Sequence, residues 1–111
     1  MNKKLHFASN LIPLILSRKK TVTLRLWDDK NLSKGDCVDF IETGTEKLFA
    51  TARIIKTVKE PFGKLLLQDI DGHEKYKSNK EMYQIFHKYY QKPVGPETIV
   101  KIVSFRLLTN Y

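Results

Sequence analysis

The stretch Ser17-Arg18-Lys19-Lys20-Thr21-Val22-Thr23-Leu24-Arg25-Leu26 sets three cations against a strictly alternating segment rich in β-branched residues. Alternation at period two marks a strand, because successive side chains leave the backbone on opposite faces. Val22, Leu24 and Leu26 are therefore expected to meet a core, with Thr21, Thr23 and Arg25 forming a polar row on the other face. Upstream, Ser9-Asn10 before the apolar cluster Leu11 to Leu16 reads as a helix start. Pro13 falls in the first turn, where its missing N–H has no intrahelical bond to lose. Arg18, Lys19 and Lys20 then stand where positive charge favours a helix C-terminus.

Working outward, Lys4 to Ala8 alternates well enough for a short strand. Trp27 opens a loop, and Lys34-Gly35-Asp36 reads as the turn into a strand over Cys37 to Glu42. Thr43-Gly44-Thr45 predicts a hairpin, and Leu48 to Val58 a long strand with room for a bulge, ended by Pro61-Phe62-Gly63. Leu65 to Ile70 reads as a short helix. Ser78 and Glu81 have capping-box spacing for another, whose apolar stripe is Met82, Ile85, Phe86 and Tyr89 and which Pro93 and Pro96 stop. Val100 to Leu108 closes as a strand. This order predicts an α+β domain, a mostly antiparallel sheet or partly open barrel with helices at its ends.

The 111 residues suit one domain over residues 1–111, and 41% hydrophobic with 29% charged residues is the profile of an ordinary soluble fold. Twenty Lys and Arg against 12 acids give a net charge of +8, which favours phosphate-rich partners or, more plainly, serves solubility. One cysteine and three scattered histidines offer no disulfide and no metal-ligand spacing, so neither metal nor cofactor is expected and a reducing cytoplasm fits best. Pro13 interrupts an apolar run too short to span a bilayer, so no membrane association is expected. Cys37, inside an apolar strand, reads as a small hydrophobe rather than a nucleophile.

Function can be sought first at residues 17–25. Lysine offers a point charge, arginine a planar fork and threonine a neutral hydroxyl, a set that suits phosphate or a carbonyl-bearing base. The plainer reading is a helix that ends in solvated cations and a strand that shows water its polar face. The residues alone leave both open. Tyr83, His87 and Tyr90 form a second helical stripe beside Lys88, able to stack on unpaired bases or simply to cap the core.

Extended to SRKKTVTLRLWDDKNLSKGDCVDF (residues 17–40), the stretch resembles the hallmark of the ASCH family, a K-K/R-T-x-T-x-R run followed by a lysine-bearing Gly-Asp turn. LQDIDGHEKYKSNKEMY and ETIVKIVSFRLL further along are also similar to family patterns. The resemblance implies a PUA-like, partly open β-barrel of five to six mostly antiparallel strands with two to three helices. It also implies a cleft beside the first helix that binds RNA or a modified nucleoside. Lys19, Lys20, Thr21, Thr23, Arg25 and Trp27 are the residues expected to line it.

Some relatives are amidohydrolases that remove the acetyl group of acetylcytidine with a lysine, a threonine and a glutamate, and others are RNA-cleaving. Lys20 and Thr23 match that pattern, and Glu74 in Gly72-His73-Glu74 is placed for the glutamate. A desolvated lysine among cations gives up its proton more readily, takes the proton of Thr23, and leaves the hydroxyl to attack an acyl carbon. Glu74 would orient the lysine or protonate the leaving amine. The family often has glycine where this chain has Arg18, and arginine tolerates φ > 0 less well. The expected function is RNA or nucleotide binding, with acyl-nucleoside hydrolysis or RNA cleavage as the enzymatic alternatives. A closed pocket favours the enzyme and an open basic groove the binder, while a protein-interaction domain would expose a broad apolar patch.

Overall fold

The computed structural model describes residues 2–27, 30–65 and 76–110. Among them run β1 (Lys3–Phe7), α1 (Ile12–Leu16), β2 (Val22–Leu26), β3 (Cys37–Glu42), β4 (Leu48–Pro61), α2 (Asn79–Tyr90) and β5 (Ile99–Asn110). Single 3-10 turns at Ser9–Leu11 and Phe62–Lys64 precede α1 and follow β4. The strands form one curled five-stranded sheet in the order β1-β3-β4-β5-β2, antiparallel except where β1 runs parallel to β3. This is an α+β half-barrel, the partly open PUA-like form expected from the sequence. The strand β4, which the sequence left room to bulge, does so at Thr51/Ala52 and Ile54/Lys56.

Two cores result. Inside the curl, Phe7, Phe40, Phe49 and Phe105 pack with Ile15 of α1, the Phe7 and Phe40 ring centroids 4.7 Å apart. Each such buried side chain is worth roughly 1.5–3 kcal/mol. On the other side Val22, Leu24 and Leu26 meet Met82 and Phe86 of α2, together with Phe62 and Ile102. The strand β2 is thus covered on both faces, and its polar row faces protein rather than water.

Helix α2 begins as its capping box predicts, with the Glu81 N–H donating to Ser78 Oγ at 3.1 Å. The Glu81 carboxylate reaches back one residue further than the usual box, accepting from the Lys77 N–H at 2.7 Å. The first helix follows a 3-10 turn that starts at Ser9 and has no side-chain cap, because Ala8 and Leu11 hold the cap positions, while the Ser9 hydroxyl donates to Glu42 Oε2 at 2.7 Å. The helix expected over Leu65 to Ile70 lies outside the described residues beyond an extended Leu65. In the turn before β3 the Lys3 ammonium, 2.8 Å away, and the Ser33 N–H hold the Asp36 carboxyl below the usual carboxylate range. Its contribution to stability is present above the ordinary carboxylate pKa and is lost as pH falls through the lowered folded value.

The end of α1 decides where Lys20 goes. Arg18 sits at φ 64°, in the left-handed region. The Arg18 N–H donates to the Ile15 carbonyl and the Lys19 N–H to the Leu14 carbonyl, both at 3.0 Å. These are the two bonds of a Schellman closure, with arginine in the place usually taken by glycine. Arg18 is exposed, so glycine there removes the strain of a side chain at φ > 0 and loses no packing. Arg18→Gly is expected to stabilise the protein by up to about 1 kcal/mol, a Tm rise of several degrees, and Arg18→Val to lower Tm; scanning calorimetry checks both.

Candidate functional site

An antiparallel ladder turns alternate residues of an edge strand away from the sheet. The Thr21 carbonyl accepts from the Phe105 N–H at 3.0 Å, which fixes the phase of the β2 ladder. Val22, Leu24 and Leu26 therefore present their backbone groups to the free edge. Two of these positions are sealed by side chains. Lys20 Nζ donates to the Val22 carbonyl at 2.9 Å, and the Leu26 N–H donates to the Tyr90 hydroxyl at 3.1 Å. Between them the edge of Leu24 borders a cavity.

The other free edge is that of β1. Its Phe7 carbonyl faces inward, accepting from Thr43 N–H, so Lys4 and His6 turn their carbonyls outward. The Arg25 guanidinium donates to the His6 carbonyl at 3.1 Å, and Lys30 donates to that of Lys4. Arg25 also lies 4.7 Å over the Phe7 ring and donates through Nε to Thr23 Oγ1 at 3.1 Å. One planar cation thus spans the gap that a missing strand pairing leaves.

The cavity at this seam holds about 360 Å³. Its polar wall is Lys20, Thr23 and Arg25, and its aromatic wall is Tyr76, Phe86, Tyr89 and Tyr90. Lys20 and Thr23 are only 2% and 4% exposed, yet both line this space. Lys20 is therefore a cation drawn into the protein, contrary to the solvated helix end that the basic cluster suggested. Glu81 supplies the carboxylate on the wall among the described residues.

The structure brings Lys20, Thr23 and Arg25 together and puts Trp27 at a smaller adjoining cavity. It does not bring Lys19 or Thr21 to either: Lys19 is exposed and Thr21 is spent on the β5 ladder. Glu74 lies outside the described residues. Of the second helical stripe only Tyr90 reaches the cavity, since Tyr83 packs on Phe62 and His87 Nδ1 bonds the Lys92 carbonyl. Cys37 is half-buried.

Ile85 and Tyr89, read from periodicity as core, are 46% and 58% exposed and line the cavity. A helical stripe reports which face is apolar but not where the sheet beneath it ends. Glu81 was legible only as a cap. At the mouth, His6 Nε2 lies 2.7 Å from Glu46 Oε1, a contact that holds the Glu46 carboxyl below its usual range.

Arg25→Ala leaves Thr23 Oγ1 and the His6 carbonyl without this donor in a half-buried seam, and is expected to cost about 2 kcal/mol by urea denaturation. Arg25→Lys should recover less than half of that, because an ammonium cannot serve both acceptors and stack on Phe7.

No protein-family model matches the sequence, and no curated protein matches it. Solved structures do. Protein EF3133 of Enterococcus faecalis, a DUF984 protein, superposes at a TM-score of 0.83 with 20% identity, over 100% of this chain and 82% of its own. The ASCH domain of Lactobacillus crispatus gives 0.71 with 12% identity, over 95% and 78%. ASCH from Zymomonas mobilis gives 0.67 with 15% identity, over 93% and 65%. At these identities the likeness is one of architecture, and it agrees with the motif reading of residues 17–40. The chain therefore has the ASCH-domain fold.

Proposed function

We propose that the seam cavity binds a nucleobase, as part of RNA or of a nucleotide-like ligand. The observation that carries this reading is the edge of Leu24, which no described residue seals, between a cationic wall and an aromatic one. A peptide edge offers a donor and an acceptor side by side, the same arrangement that most bases carry along one edge. Tyr89 and Tyr90 supply ring surfaces for the base, and Lys20 and Arg25 supply the charge that an anionic ligand needs. The volume suits one nucleoside rather than a duplex. The net charge of +8 adds long-range attraction for any phosphate-bearing ligand.

A second reading, hydrolysis of an acylated nucleoside, is favoured by one specific contact. Thr23 Oγ1 accepts from the Arg25 guanidinium, so a cation is in place to stabilise the oxygen as its proton leaves. Lys20 lines the same cavity and would take that proton, while Glu74 or Glu81 would supply the acid.

Calorimetric titration with ribonucleosides and short single-stranded RNAs tests the first reading. Binding is expected, with Tyr89→Ala weakening it about tenfold through loss of stacking. Absence of binding to every probe overturns it. In the same preparation, acetate release from acetylcytidine tests the second. Thr23→Val keeps the branched shape and deletes the hydroxyl, and is expected to abolish any turnover; full activity in that variant removes Thr23 as nucleophile.

A further inference from the structure

Hydrolysis through an acylated threonine needs a base twice, once to free the hydroxyl and once to activate the water that clears the acyl group. Lys20 stands for the first step on the buried side of the cavity, where it and Thr23 are only 2% and 4% exposed. Water enters from the mouth. There the half-buried His6 lines the larger cavity and the smaller one that adjoins it.

The His6 ring is set as a base requires. Its Nε2 lies 2.7 Å from Glu46 Oε1, and a carboxylate can only accept, so Nε2 carries the hydrogen and the neutral ring keeps its lone pair on Nδ1. Among the described residues nothing hydrogen-bonds Nδ1. Glu46 is held in turn: its Oε2 accepts from the Gly44 N–H at 3.3 Å, and its own N–H donates to the Glu42 carbonyl at 2.9 Å. The contact with His6 keeps the Glu46 carboxyl below its usual range, so it stays anionic and offsets the charge of a protonated ring. Carboxylate, imidazole and a second nitrogen left open follow the order of a hydrolytic triad, in which the carboxylate fixes the tautomer.

His6 and Thr23 are also tied to one guanidinium. Arg25 donates to the His6 carbonyl and, through Nε, to Thr23 Oγ1, each at 3.1 Å. The base and the oxygen that would carry the acyl group thus belong to one hydrogen-bonded group on the cavity wall.

We propose that His6, oriented by Glu46, is the general base that activates water for the second half of the hydrolysis, clearing an acyl group from Thr23. The inference rests on the reading of the cavity as an acyl-nucleoside hydrolase with Thr23 as nucleophile. His6 Nδ1 takes a proton from water while the water oxygen bonds the acyl carbon. As the adduct collapses, the C–Oγ1 bond breaks and that proton passes to Oγ1, which releases the carboxylic acid and restores the threonine hydroxyl. Glu46 touches no reacting atom and is a positioning residue.

Rapid mixing with acetylcytidine as the probe, followed by intact-mass measurement of the protein, isolates this step. His6→Gln keeps an amide for Glu46 to bond but has no base. It should release one equivalent of cytidine near the wild-type rate and then turn over about a hundredfold more slowly, while the protein gains one acetyl group that peptide mapping places on Thr23. Glu46→Gln should accumulate the same species and clear it faster than His6→Gln does. A purely structural role would lower release and clearance together, and the first equivalent of cytidine shows that each variant is folded. His6→Ala is read in the same way.

Wild-type turnover in His6→Gln overturns the assignment and leaves hydrolysis standing. So does loss of the first equivalent in a His6→Gln protein that melts like the wild type, and so does an acetyl group trapped on a residue other than Thr23. A wild-type protein that releases no cytidine, first equivalent included, removes the hydrolytic reading and this one together.

Discussion

Two strand edges that face one another without pairing are the constraint around which the rest of this structure is arranged. A curled sheet in the order β1-β3-β4-β5-β2 leaves β1 and β2 as its edges, each with backbone groups that need partners. Closing the barrel would satisfy them by direct pairing. Here side chains satisfy them instead: Arg25 and Lys30 reach the carbonyls of His6 and Lys4, while Lys20 and Tyr90 serve Val22 and Leu26. Because side chains are longer than a hydrogen-bonded strand spacing, the seam stays open enough to hold a cavity.

That arrangement explains why cations are found so deep. A buried lysine or arginine is stable only where carbonyl oxygens and ring faces replace lost water. The free edge supplies the carbonyls, and Phe7 supplies the ring beneath Arg25. The same geometry places a hydroxyl, two cations and a stretch of peptide edge that no described residue seals around one space. Structural roles and places on the cavity wall therefore coincide in Arg25, which bridges the two edges, and in Lys20, which seals the Val22 carbonyl.

The turn at Arg18 shows how local backbone geometry feeds this site. The Schellman bonds reverse the chain within three residues of the end of α1, and Lys20 N–H adds a further bond to the Leu14 carbonyl. The chain then enters β2 with Lys20 pointed inward. Without a left-handed residue at this position the helix would run on or leave at another angle, and Lys20 would stay with Arg18 and Lys19 in solvent. An arginine at φ 64° is the cost the chain bears for that path.

The sequence by itself determined the five strands and the helix over Asn79–Tyr90, and it named the polar wall among a wider set of candidates. Alternation over Val22–Leu26, the Ser78 and Glu81 cap, and the turn and bulge signals around β3 and β4 are local patterns, and local patterns survive in sequence. The motif at residues 17–25 likewise named Lys20, Thr23 and Arg25. Tertiary structure alone decided that Lys20 is buried, that Lys19 and Thr21 do not line the cavity, and that Ile85, Tyr89 and Glu81 do. Those outcomes depend on where two distant edges meet and how far α2 overhangs them. Periodicity tells which way a side chain leaves its own element; whether it then finds core, cavity or water is set by the opposing element, whose distance and angle no single segment encodes.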